Sequence, residues 1–465
     1  MNPPRNRAEI VIIGSGITAA AVARSALIEN RRRNHQGRVI VLEARNLCSG
    51  ATGRSGGQIQ GSPHEYFDDL QKSVGPARAA AMIRFQISQI QELRELCEIE
   101  SWDIAEFREI ETVDFYLTDD ECRAAFEKVR VVKKHVPELG IKAWCAEDAR
   151  TLFGANKNVK GAVSYPAATM SPYRFVNCVW ECLLTRYPTS LSIMTDTAAL
   201  SIETPITNRY AYEVVTTRGT FECDHVVHAT DAFAGELVPG LRGKLTGVLR
   251  AMMALTPSVQ FSTILSTARS WVVSYGSGLD VATQRPRLHK LPGDIILGGG
   301  FSRSEEQGAS MIGVYDDSRL DPLPVAHLRG ILPTVFDNHQ GEESYGWRTK
   351  SSWSGTMGVT GDLLPFVGRL DKGLTSRSPH HLYNSPGVVE PGEWISAGYG
   401  GQGLGLAWLC GTALGIMIGG TQNNAVPAYP GRPAGPMRQW FPVGLEPTAK
   451  RLEEANLSNI VHRFF

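Results

Sequence analysis

The sequence Ile10-Val-Ile-Ile-Gly14-Ser-Gly16-Ile-Thr-Ala19 decides the fold of this chain, because an apolar strand-like run leads directly into a glycine turn and then a helical pattern. Gly14 allows the tight turn, and Gly16 lets the backbone come close to a pyrophosphate. Ala19 stands where a third glycine is usual and still permits close packing of helix on strand. The free amides at the start of the helix would face the anion. The stretch therefore predicts a dinucleotide-binding turn.

An acidic residue, Glu43, ends a second apolar run that covers Val39–Leu42. Its carboxylate is placed to accept hydrogen bonds from a ribose 2′-hydroxyl. The spacing from Gly16 exceeds the usual value of roughly 20 residues, and the basic insert between Arg31 and Gly37 accounts for the excess. Strand, turn, helix, strand and acid in this order predict an α/β fold with a Rossmann-type domain, in which a mostly parallel sheet is doubly wound.

Length and charge indicate a two-domain protein that binds its partner through a local binding site and not through its overall charge. The chain has 465 residues, more than a single core usually organises, so two domains are expected. Its 47 basic and 47 acidic residues leave no net charge, which argues against a nucleic-acid partner. The eight cysteines show no C-x-x-C spacing, so neither a zinc site nor a disulfide framework is expected. The first residues contain no apolar signal segment, and we expect a reduced, cytoplasmic protein.

The long uncharged segment from Trp394 to Gly420 has two interpretations. By its number of residues it is long enough to span a bilayer. Its many glycines, and the lack of aromatic belts or a flanking basic bias, favour instead a loop at Gly398–Gly403 and a buried helix at Leu404–Ile418. We therefore expect no membrane span, and a span is the alternative.

The rest of the chain contains helices, single strands and one strand-rich region. Residues 75–100 and 119–136 have apolar residues at helical spacing. The runs Thr197–Ile202 and His225–Thr230 are interpreted as further strands of the nucleotide-binding sheet. Residues 246–350 contain strand-like runs separated by Pro and Gly turns, which predicts an antiparallel sheet inserted between pieces of the nucleotide-binding domain.

The nucleotide motif is the first of a series of fragments that extends over most of the chain. The series comprises Gly14–Ala19, Glu43–Arg45, Ser49–Gly57, Tyr165–Pro166 with Ser171–Arg174, His225–Thr230, Trp353–Asp362 with Pro365–Gly368, and Trp394–Gly403. In this order the fragments resemble the FAD-dependent oxidoreductases of the D-amino-acid oxidase, glycine oxidase and sarcosine oxidase type. The run Gly53-Arg-Ser-Gly-Gly57 is most similar to the amine-oxidising members.

The resemblance implies a division of the chain into three parts. We expect a discontinuous FAD-binding domain at 1–68, 162–245 and 352–420. The substrate domain would consist of 69–161 and 246–351, with its antiparallel sheet inserted into the first domain. Residues 421–465 would form a C-terminal wrap.

The resemblance also implies where FAD binds. Glu43 would hold the adenosine ribose, Arg45 would lie by the pyrophosphate or the adenosine, and the backbone of Ala199 would meet the adenine. Residues 54–57 would wrap the isoalloxazine ring. The loop 400–403 would open the last helix toward that ring, where a helix N-terminus stabilises negative charge. The candidate FAD-binding residues are Gly14, Ser15, Gly16, Ile17, Thr18, Glu43, Ala44, Arg45, Thr52, Arg54, Ser55, Gly56, Gly57, Ala199, Ala229, Thr230, Gly400, Gly401, Gln402, Gly403 and Leu404.

This chain departs from its relatives at three positions. Relatives with a covalently attached flavin use a cysteine where this chain has Gly355, or a histidine where it has Arg54, so we expect noncovalent FAD. Gln58 stands in the region where sarcosine oxidases place an arginine that pairs with the substrate carboxylate. Recognition of a carboxylate is therefore in doubt, unless Arg285 or Arg348 supplies it.

Aromatic residues and histidines complete the candidates for substrate binding. Tyr275, Trp353 and Tyr399 could form a cage for a protonated amine, and ordinary packing is the alternative. His64 follows the predicted flavin loop and is interpreted as a surface-turn histidine, with a place near the substrate as the alternative. His225 and the neighbouring His228 are interpreted as structural.

These features predict an FAD-dependent oxidase of a C–N bond. The α-carbon of an amine or amino acid would deliver hydride to the flavin and leave an imine, and molecular oxygen would then yield hydrogen peroxide. Such chemistry needs a general base only to deprotonate the amine before hydride leaves, which agrees with the lack of an evident acid–base pair in the sequence. No catalytic residue is therefore assigned. One alternative is a flavin dehydrogenase or tailoring oxidase that acts on a carbon skeleton with a non-oxygen acceptor. Another is a nucleotide-binding protein without flavin catalysis.

Overall fold

The computed structural model of this chain describes residues 6–205, 209–257, 268–276, 278–286, 293–337, 347–379 and 389–459. They form two compact units. The first unit contains the residues up to Gly53, Pro172–Gly247 and the residues from Met357 onward, and the second contains Arg54–Ser171 and Val248–Thr356. The predicted domain boundaries differ from these units mainly at 54–68, 162–171 and 352–356, which belong to the second unit. The described residues after 420, predicted as a separate wrap, belong to the first unit.

The strands and helices are numbered in chain order. The strands are β1 (Ile10–Ile13), β2 (Val39–Leu42), β3 (Gln58–Ile59), β4 (Arg108–Tyr116), β5 (Lys142–Cys145), β6 (Gly161–Thr169), β7 (Leu191–Met194), β8 (Ala199–Glu203), β9 (Tyr212–Thr216), β10 (Gly219–Cys223), β11 (His225–His228), β12 (Leu245–Thr256), β13 (Arg269–Tyr275), β14 (Gly278–Gln284), β15 (Ile295–Gly299), β16 (Arg348–Thr360), β17 (Phe366–Arg369) and β18 (Gly392–Ala397). The helices are α1 (Ile17–Arg32), α2 (Ala51–Arg54), α3 (Pro63–Val74), α4 (Pro76–Ile99), α5 (Asp119–His135), α6 (Ala146–Phe153), α7 (Pro172–Arg186), α8 (Ala234–Leu237), α9 (Pro322–Val335), α10 (Lys372–Thr375), α11 (Gly403–Ile418) and α12 (Ala449–Glu454).

The first unit is built on the sheet that the nucleotide motif predicts. Its strand order is β17-β18-β11-β1-β2-β7, and β1 runs parallel to both β11 and β2. Every residue of β1 and β2 is buried, as expected for parallel strands covered on both faces. Helices α1 and α11 pack closely, since a Cβ atom on Gly411 would lie 2.8 Å from the Cβ atom of Ala21. The predicted α/β fold with a Rossmann-type sheet is confirmed.

One predicted strand of this sheet is wrong. The edge strand beside β2 is β7 (Leu191–Met194). The run that begins at Thr197 instead supplies β8 to a separate three-stranded antiparallel sheet with β9 and β10. Along β8 only Ile202 is buried, a pattern that suits a sheet with one solvated face and not the buried interior of a parallel sheet.

The second unit contains a sheet with strand order β16-β12-β15-β14-β13-β4-β6-β3 and β5 paired to β6. The antiparallel sheet predicted for residues 246–350 is one part of it, and β3, β4, β5 and β6 extend it. Neighbours such as β12 and β15 are antiparallel, whereas β4 and β13 are parallel. One face carries an apolar core in which Trp271 and Leu297 pack with Leu328 of α9. Because side chains alternate along a strand, Thr112 of β4 and Ser270 of β13 lie on the other face.

The uncharged segment near the C-terminus forms a loop and a buried helix, as predicted. Helix α11 covers Gly403–Ile418, and all of its residues except Gly403 and Met417 are buried. Within the described part of the chain, no helix is both long and apolar enough to cross a membrane.

Part of the chain after α11 lies against α1. Glu29 of α1 forms a buried ion pair with Arg432 at 2.7 Å and accepts a hydrogen bond from Thr421 Oγ1 at 2.8 Å. Further on, the buried Arg451 donates to the carboxylate of Asp362. These contacts order part of the segment predicted as a wrap, whose last residues, 460–465, lie outside the described residues.

Candidate functional site

The turn between β1 and α1 needs glycine at two positions. Gly14 has φ +107°, and a Cβ atom on it would lie 2.5 Å from the carbonyl oxygen of Ala229. Gly16 precedes α1 without a side-chain cap, and a Cβ atom there would lie 2.9 Å from Thr52 Oγ1. That hydroxyl accepts a hydrogen bond from the amide of Ile17 at 3.2 Å. The turn therefore brings bare backbone and the N-terminus of α1 to the carboxyl ends of β1 and β11.

Glu43 is held in place at the carboxyl end of β2. Its carboxylate accepts hydrogen bonds from Ser15 Oγ at 2.5 Å and from the amide of Arg45 at 2.9 Å. Ser15 Oγ in turn accepts the amide of Cys48 at 2.8 Å. Ala44 and Arg45 are exposed, and Ala199, at the start of β8, is partly exposed. The carboxylate of Glu43 is thus fixed by a hydroxyl and an amide, next to the exposed Ala44 and Arg45.

Asp231 connects three segments of the first unit. It is not among the site residues predicted from the sequence. It follows Ala229 and Thr230 at the end of β11 with φ +48°. Its two carboxylate oxygens accept the amides of Gly358 at 2.6 Å and Gly398 at 2.8 Å. Burial raises the pKa of the Asp231 carboxyl, against the lowering effect of the amides that donate to it. An acidic residue directly after a strand that ends in small residues was the available signal.

The loop before α11 is shaped by glycines. Gly398, Gly400 and Gly401 all have positive φ, which only glycine adopts at little cost. Helix α11 begins at Gly403, and the side chain of Gln402 does not cap it. An α-helix that starts in this way directs positive charge from its first amides into the space before it.

The hydroxyl of Tyr399 points into the first unit. It lies 2.9 Å from Thr18 Oγ1 on α1 and 2.8 Å from Ser396 Oγ on β18. The ring is buried, and burial raises the pKa of this phenol well above its usual value. These contacts describe ordinary packing, the alternative to a role in an aromatic cage.

In the second unit Arg54 contacts the region of β16 that contains Trp353. The guanidinium of Arg54 donates to the carbonyl oxygens of Ser354 at 2.7 Å and Asp317 at 3.1 Å. Trp353 Nε1 donates to the carbonyl oxygen of Arg54 at 2.9 Å. A Cβ atom on Gly355 would lie 3.2 Å from Arg54 Cβ. The two positions at which relatives attach a flavin are therefore neighbours in this chain.

The glycines that follow Arg54 lie against the large sheet. A Cβ atom on Gly56 would be 3.3 Å from Met252 Cε on β12, and Gly57 has φ +91°. Ser55 Oγ accepts the amide of Gly57 at 3.3 Å. Next in the chain, Gln58 Nε2 donates to Ser270 Oγ at 3.2 Å. The loop thus presents backbone on the sheet face opposite the apolar core.

Two other predicted substrate residues of the second unit, Arg285 and Tyr275, have partners of their own. Arg285 forms an ion pair with Glu106 at 2.6 Å. Tyr275 packs against the apolar core and donates to Asp280 at 3.0 Å. Arg348 is exposed at the beginning of β16. The structure therefore brings Arg54, Trp353 and the glycine loop together, but it assigns Tyr275 to the opposite sheet face.

A sequence profile described as FAD dependent oxidoreductase, the DAO family, matches residues 9–415. This chain belongs to that family. The solved structures that it resembles include glycine oxidase from Geobacillus kaustophilus, with 16% identity, a TM-score of 0.65, and coverage of 89% of this chain and 95% of that chain. L-proline dehydrogenase from P. horikoshii has 19% identity, a TM-score of 0.62 and coverage of 89% and 93%. Iminodiacetate oxidase from Chelativorans sp. BNC1 has 16% identity, a TM-score of 0.62 and coverage of 93% and 99%. At such identities these structures show the fold, and no curated protein matches the chain.

The residues of this FAD-dependent oxidoreductase fit the cofactor of its family. The turn at Gly14 and Gly16 leaves no room for side chains, and the start of α1 has no side-chain cap, which suits a pyrophosphate. A carboxylate has about four lone-pair positions, so Glu43 can still accept ribose hydroxyls beside Ser15 and Arg45. Arg54 and Gly355 have no thiol or imidazole to bond a flavin, so FAD is bound noncovalently.

His64 of this oxidoreductase is buried, so its predicted place in a surface turn is wrong. Helix α3 begins at Pro63 and brings His64 Nε2 within 2.7 Å of Tyr116 OH on β4. Burial lowers the pKa of His64 to about 3. Asp114 lies on β4 two residues before Tyr116 and is fully buried. Its carboxylate accepts hydrogen bonds from Ser62 Oγ at 2.7 Å and from Tyr165 OH at 2.8 Å. Burial raises the pKa of Asp114 to about 7.

The histidines of β11 belong to the packing of the first unit. His228 Nε2 lies 2.9 Å from the buried carboxylate of Glu393, which also pairs with Arg377 at 2.7 Å. His225 Nδ1 accepts a hydrogen bond from Trp394 Nε1 at 3.3 Å. These contacts give each histidine a partner within the first unit, in agreement with a structural role.

Proposed function

We propose that this FAD-dependent oxidoreductase is an oxidase of amines or amino acids that acts at the C–N bond. The observation that carries the proposal is the family match over residues 9–415, combined with glycine oxidase and iminodiacetate oxidase among the similar structures. The products would be an imine and hydrogen peroxide, with molecular oxygen as the electron acceptor. When bound, FAD supplies the two-electron chemistry.

The protein residues would hold and shield the cofactor. Gly14, Gly16 and the first amides of α1 would bind the pyrophosphate, and Glu43 would accept the ribose hydroxyls. Asp231 would keep the loop before α11 in the conformation that opens the helix N-terminus. The dipole of that helix would stabilise the negative charge that accumulates during reduction.

The second unit would select the substrate, as its predicted role as substrate domain implies. Support comes from the sheet face that carries Gln58, Thr112 and Ser270, three polar side chains linked by hydrogen bonds. A cytoplasmic location is proposed as well, because the eight cysteines are free thiols, as in reducing compartments.

A second candidate is a dehydrogenase that passes electrons to an acceptor other than oxygen. L-proline dehydrogenase from P. horikoshii, among the similar structures, favours it. Both candidates use FAD and a C–N substrate, so only the acceptor distinguishes them.

The decisive experiment measures flavin content and the acceptor on one preparation. The purified protein is expected to be yellow, and a panel of amines and amino acids is expected to consume oxygen with one peroxide formed per oxygen. Reduction of an artificial dye without peroxide would support the dehydrogenase. Protein that is colourless, and that stays colourless after incubation with FAD, would refute both candidates.

A further inference from the structure

Two cysteines of the second unit, Cys122 and Cys145, lie on neighbouring elements. Cys122 is on α5 and is buried, whereas Cys145 ends β5 and is exposed. Both are free thiols. Neither residue belongs to the candidate FAD site, so their proximity needs an account of its own.

Gly161 makes room for the thiol of Cys122. Cys145 and Gly161 are opposite each other in the antiparallel pair of β5 and β6. A Cβ atom on Gly161 would collide with Cys122 Sγ, so the thiol fills the space that a side chain at 161 would need. Opposite residues of an antiparallel pair point to the same face of the sheet, with Cβ positions roughly 4.5–5.5 Å apart. The Cβ atom of Cys145 therefore lies on the face of Cys122 Sγ and beside it.

The electrostatics of Cys122 indicate the same proximity. Its Sγ donates to the carbonyl oxygen of Lys160, the residue before Gly161, at 3.8 Å. Burial raises the pKa of the Cys122 thiol, and the negative charges of Asp119 and of a Cys145 thiolate raise it further. Because the interaction between two charges falls with distance, this effect places the second sulfur close to the first.

Cys145 can reach Cys122 by rotation of its own side chain. Its thiol donates to Asp148 Oδ2 on the first turn of α6 at 3.2 Å. Exposed side chains change rotamer within nanoseconds, so this contact does not hold the sulfur in place. A bond between the two sulfurs thus requires a new rotamer at Cys145, and the pairing of β5 with β6 can stay as it is.

A second pair of cysteines provides a comparison. Cys178 and Cys182 are both half-buried on α7, one helical turn apart. Residues at this spacing have Cβ atoms roughly 5–6 Å apart, whereas a disulfide needs roughly 3.5–4.5 Å. The helix backbone keeps that separation. In the first pair, by contrast, the sulfur of Cys122 itself stands beside Cys145.

We propose that Cys122 and Cys145 are a redox modification site, at which a peroxide converts the two thiols into a reversible disulfide. The exposed Cys145 Sγ attacks one oxygen of hydrogen peroxide, and the O–O bond breaks. The released hydroxide takes the thiol proton to form water, which leaves Cys145 as a sulfenic acid. Cys122 Sγ then attacks Cys145 Sγ, the S–S bond forms, and the S–O bond breaks. This second hydroxide takes the Cys122 proton and leaves as water, so the two electrons lost by the thiols have reduced the peroxide.

The disulfide would join α5 to β5 and would protect the exposed thiol from irreversible oxidation to the sulfinic acid. The inference goes beyond the proposed function. An oxidase would itself produce the peroxide, but the pair is expected to respond equally to peroxide that is added.

The test treats the reduced holoprotein with hydrogen peroxide in the absence of any amine, and catalase ends the reaction. The intact mass should decrease by the mass of two hydrogen atoms. The number of thiols titrated after unfolding should fall by two from the eight of the untreated protein. Digestion should yield a linked peptide that contains Cys122 and Cys145, and dithiothreitol should reverse all three changes.

Three variants assign the roles of the two thiols. In Cys122→Ser the second step is lost, so Cys145 should accumulate as a sulfenic acid that dimedone traps, or as the sulfinic acid. In Cys145→Ser the thiol that meets the peroxide is lost, so Cys122 should stay reduced. Cys178→Ser is the control and should give as much of the linked peptide as the wild type. Thermal unfolding shows whether each variant folds, and the linked peptide of the wild type decides the pairing without them.

Any of three results with the wild type would overturn the proposal. The first is oxidation of Cys145 to the sulfinic acid while Cys122 stays reduced. The second is a yield of Cys178–Cys182 disulfide equal to that of the proposed pair, because geometry would then not direct the reaction. The third is full retention of both thiols at a peroxide concentration that oxidises free cysteine. Absence of peroxide production with every amine would refute the proposed function only, because the peroxide in this test is added.

Discussion

The buried carboxyl of Asp114 should make the stability of the second unit fall as pH rises. Asp114 is fully buried on β4, and its two hydrogen bonds come from the hydroxyls of Ser62 and Tyr165. Burial raises the pKa of Asp114 from 3.8 to about 7, more than these hydrogen bonds lower it. Between these two pH values the folded protein holds a proton that the unfolded chain has released. Stability therefore decreases through this window, and the decrease is complete above pH 7.

The magnitude follows from the two pKa values. A carboxyl that titrates near 7 in the folded protein and near 3.8 in the unfolded chain removes about 4 kcal/mol of unfolding free energy across the window. In Asp114→Asn this pH dependence disappears. The amide oxygen can accept one of the two hydroxyls, and the amide nitrogen can donate to the other.

The assay compares urea unfolding of the wild type and Asp114→Asn from pH 4 to pH 8. The unfolding free energy of the variant minus that of the wild type should rise by about 4 kcal/mol over this range. The buried His64 and His225, whose pKa values are lowered to about 3 by burial, change stability in the opposite direction, but they cancel in this difference. Glu109→Gln, an exposed change on the same strand, is the control for altered net charge. A difference between Asp114→Asn and wild type that does not change with pH would refute the reasoning.

The remaining predictions concern the cofactor. Gly16→Val should give colourless protein, because a side chain there meets Thr52 Oγ1 and enters the pyrophosphate path; full FAD occupancy in its absorbance spectrum would contradict the assignment of the turn. Asp231→Asn replaces an acceptor of two amides by a group that can accept only one of them, and should weaken FAD binding or folding by roughly 1.5–3 kcal/mol. Titration of apoprotein with FAD and thermal unfolding separate these two effects, and a variant unchanged in both would show that Asp231 does not hold the loop. Acid precipitation of the wild type should release all FAD into the supernatant, whereas a yellow pellet would mean a covalent bond.

Local patterns predicted the parts of the fold that depend on neighbours in the sequence. The strand, turn and helix around Gly14 follow from a dozen consecutive residues, and the loop and helix near Gly403 follow from glycine content and the lack of charge. The strand at Ala199 was misassigned because an apolar run does not show which sheet it joins. Its half-exposed alternation is visible only once its partners are known.

The polar clusters could not be predicted, because their members are distant in sequence. Asp114 and its partner Ser62 are 52 residues apart, and the separation between Asp231 and Gly398 is 167 residues. A signal existed for the first cluster: Thr112, Asp114 and Tyr116 alternate with the apolar Val113 and Phe115. This pattern of period two predicts a polar strand face, but it cannot show that a helix covers that face.

The contact between Arg54 and Gly355 bears on how a permanent flavin link could be engineered into this scaffold. A thiol introduced at 355 would compete for volume with the stem of the arginine, and an imidazole introduced at 54 would give up the bonds to Ser354 and Asp317. Each substitution alone therefore disturbs the packing or the hydrogen bonds of Arg54. A tethered version would therefore need both positions redesigned as a pair, and single replacements should cost stability before they gain a bond.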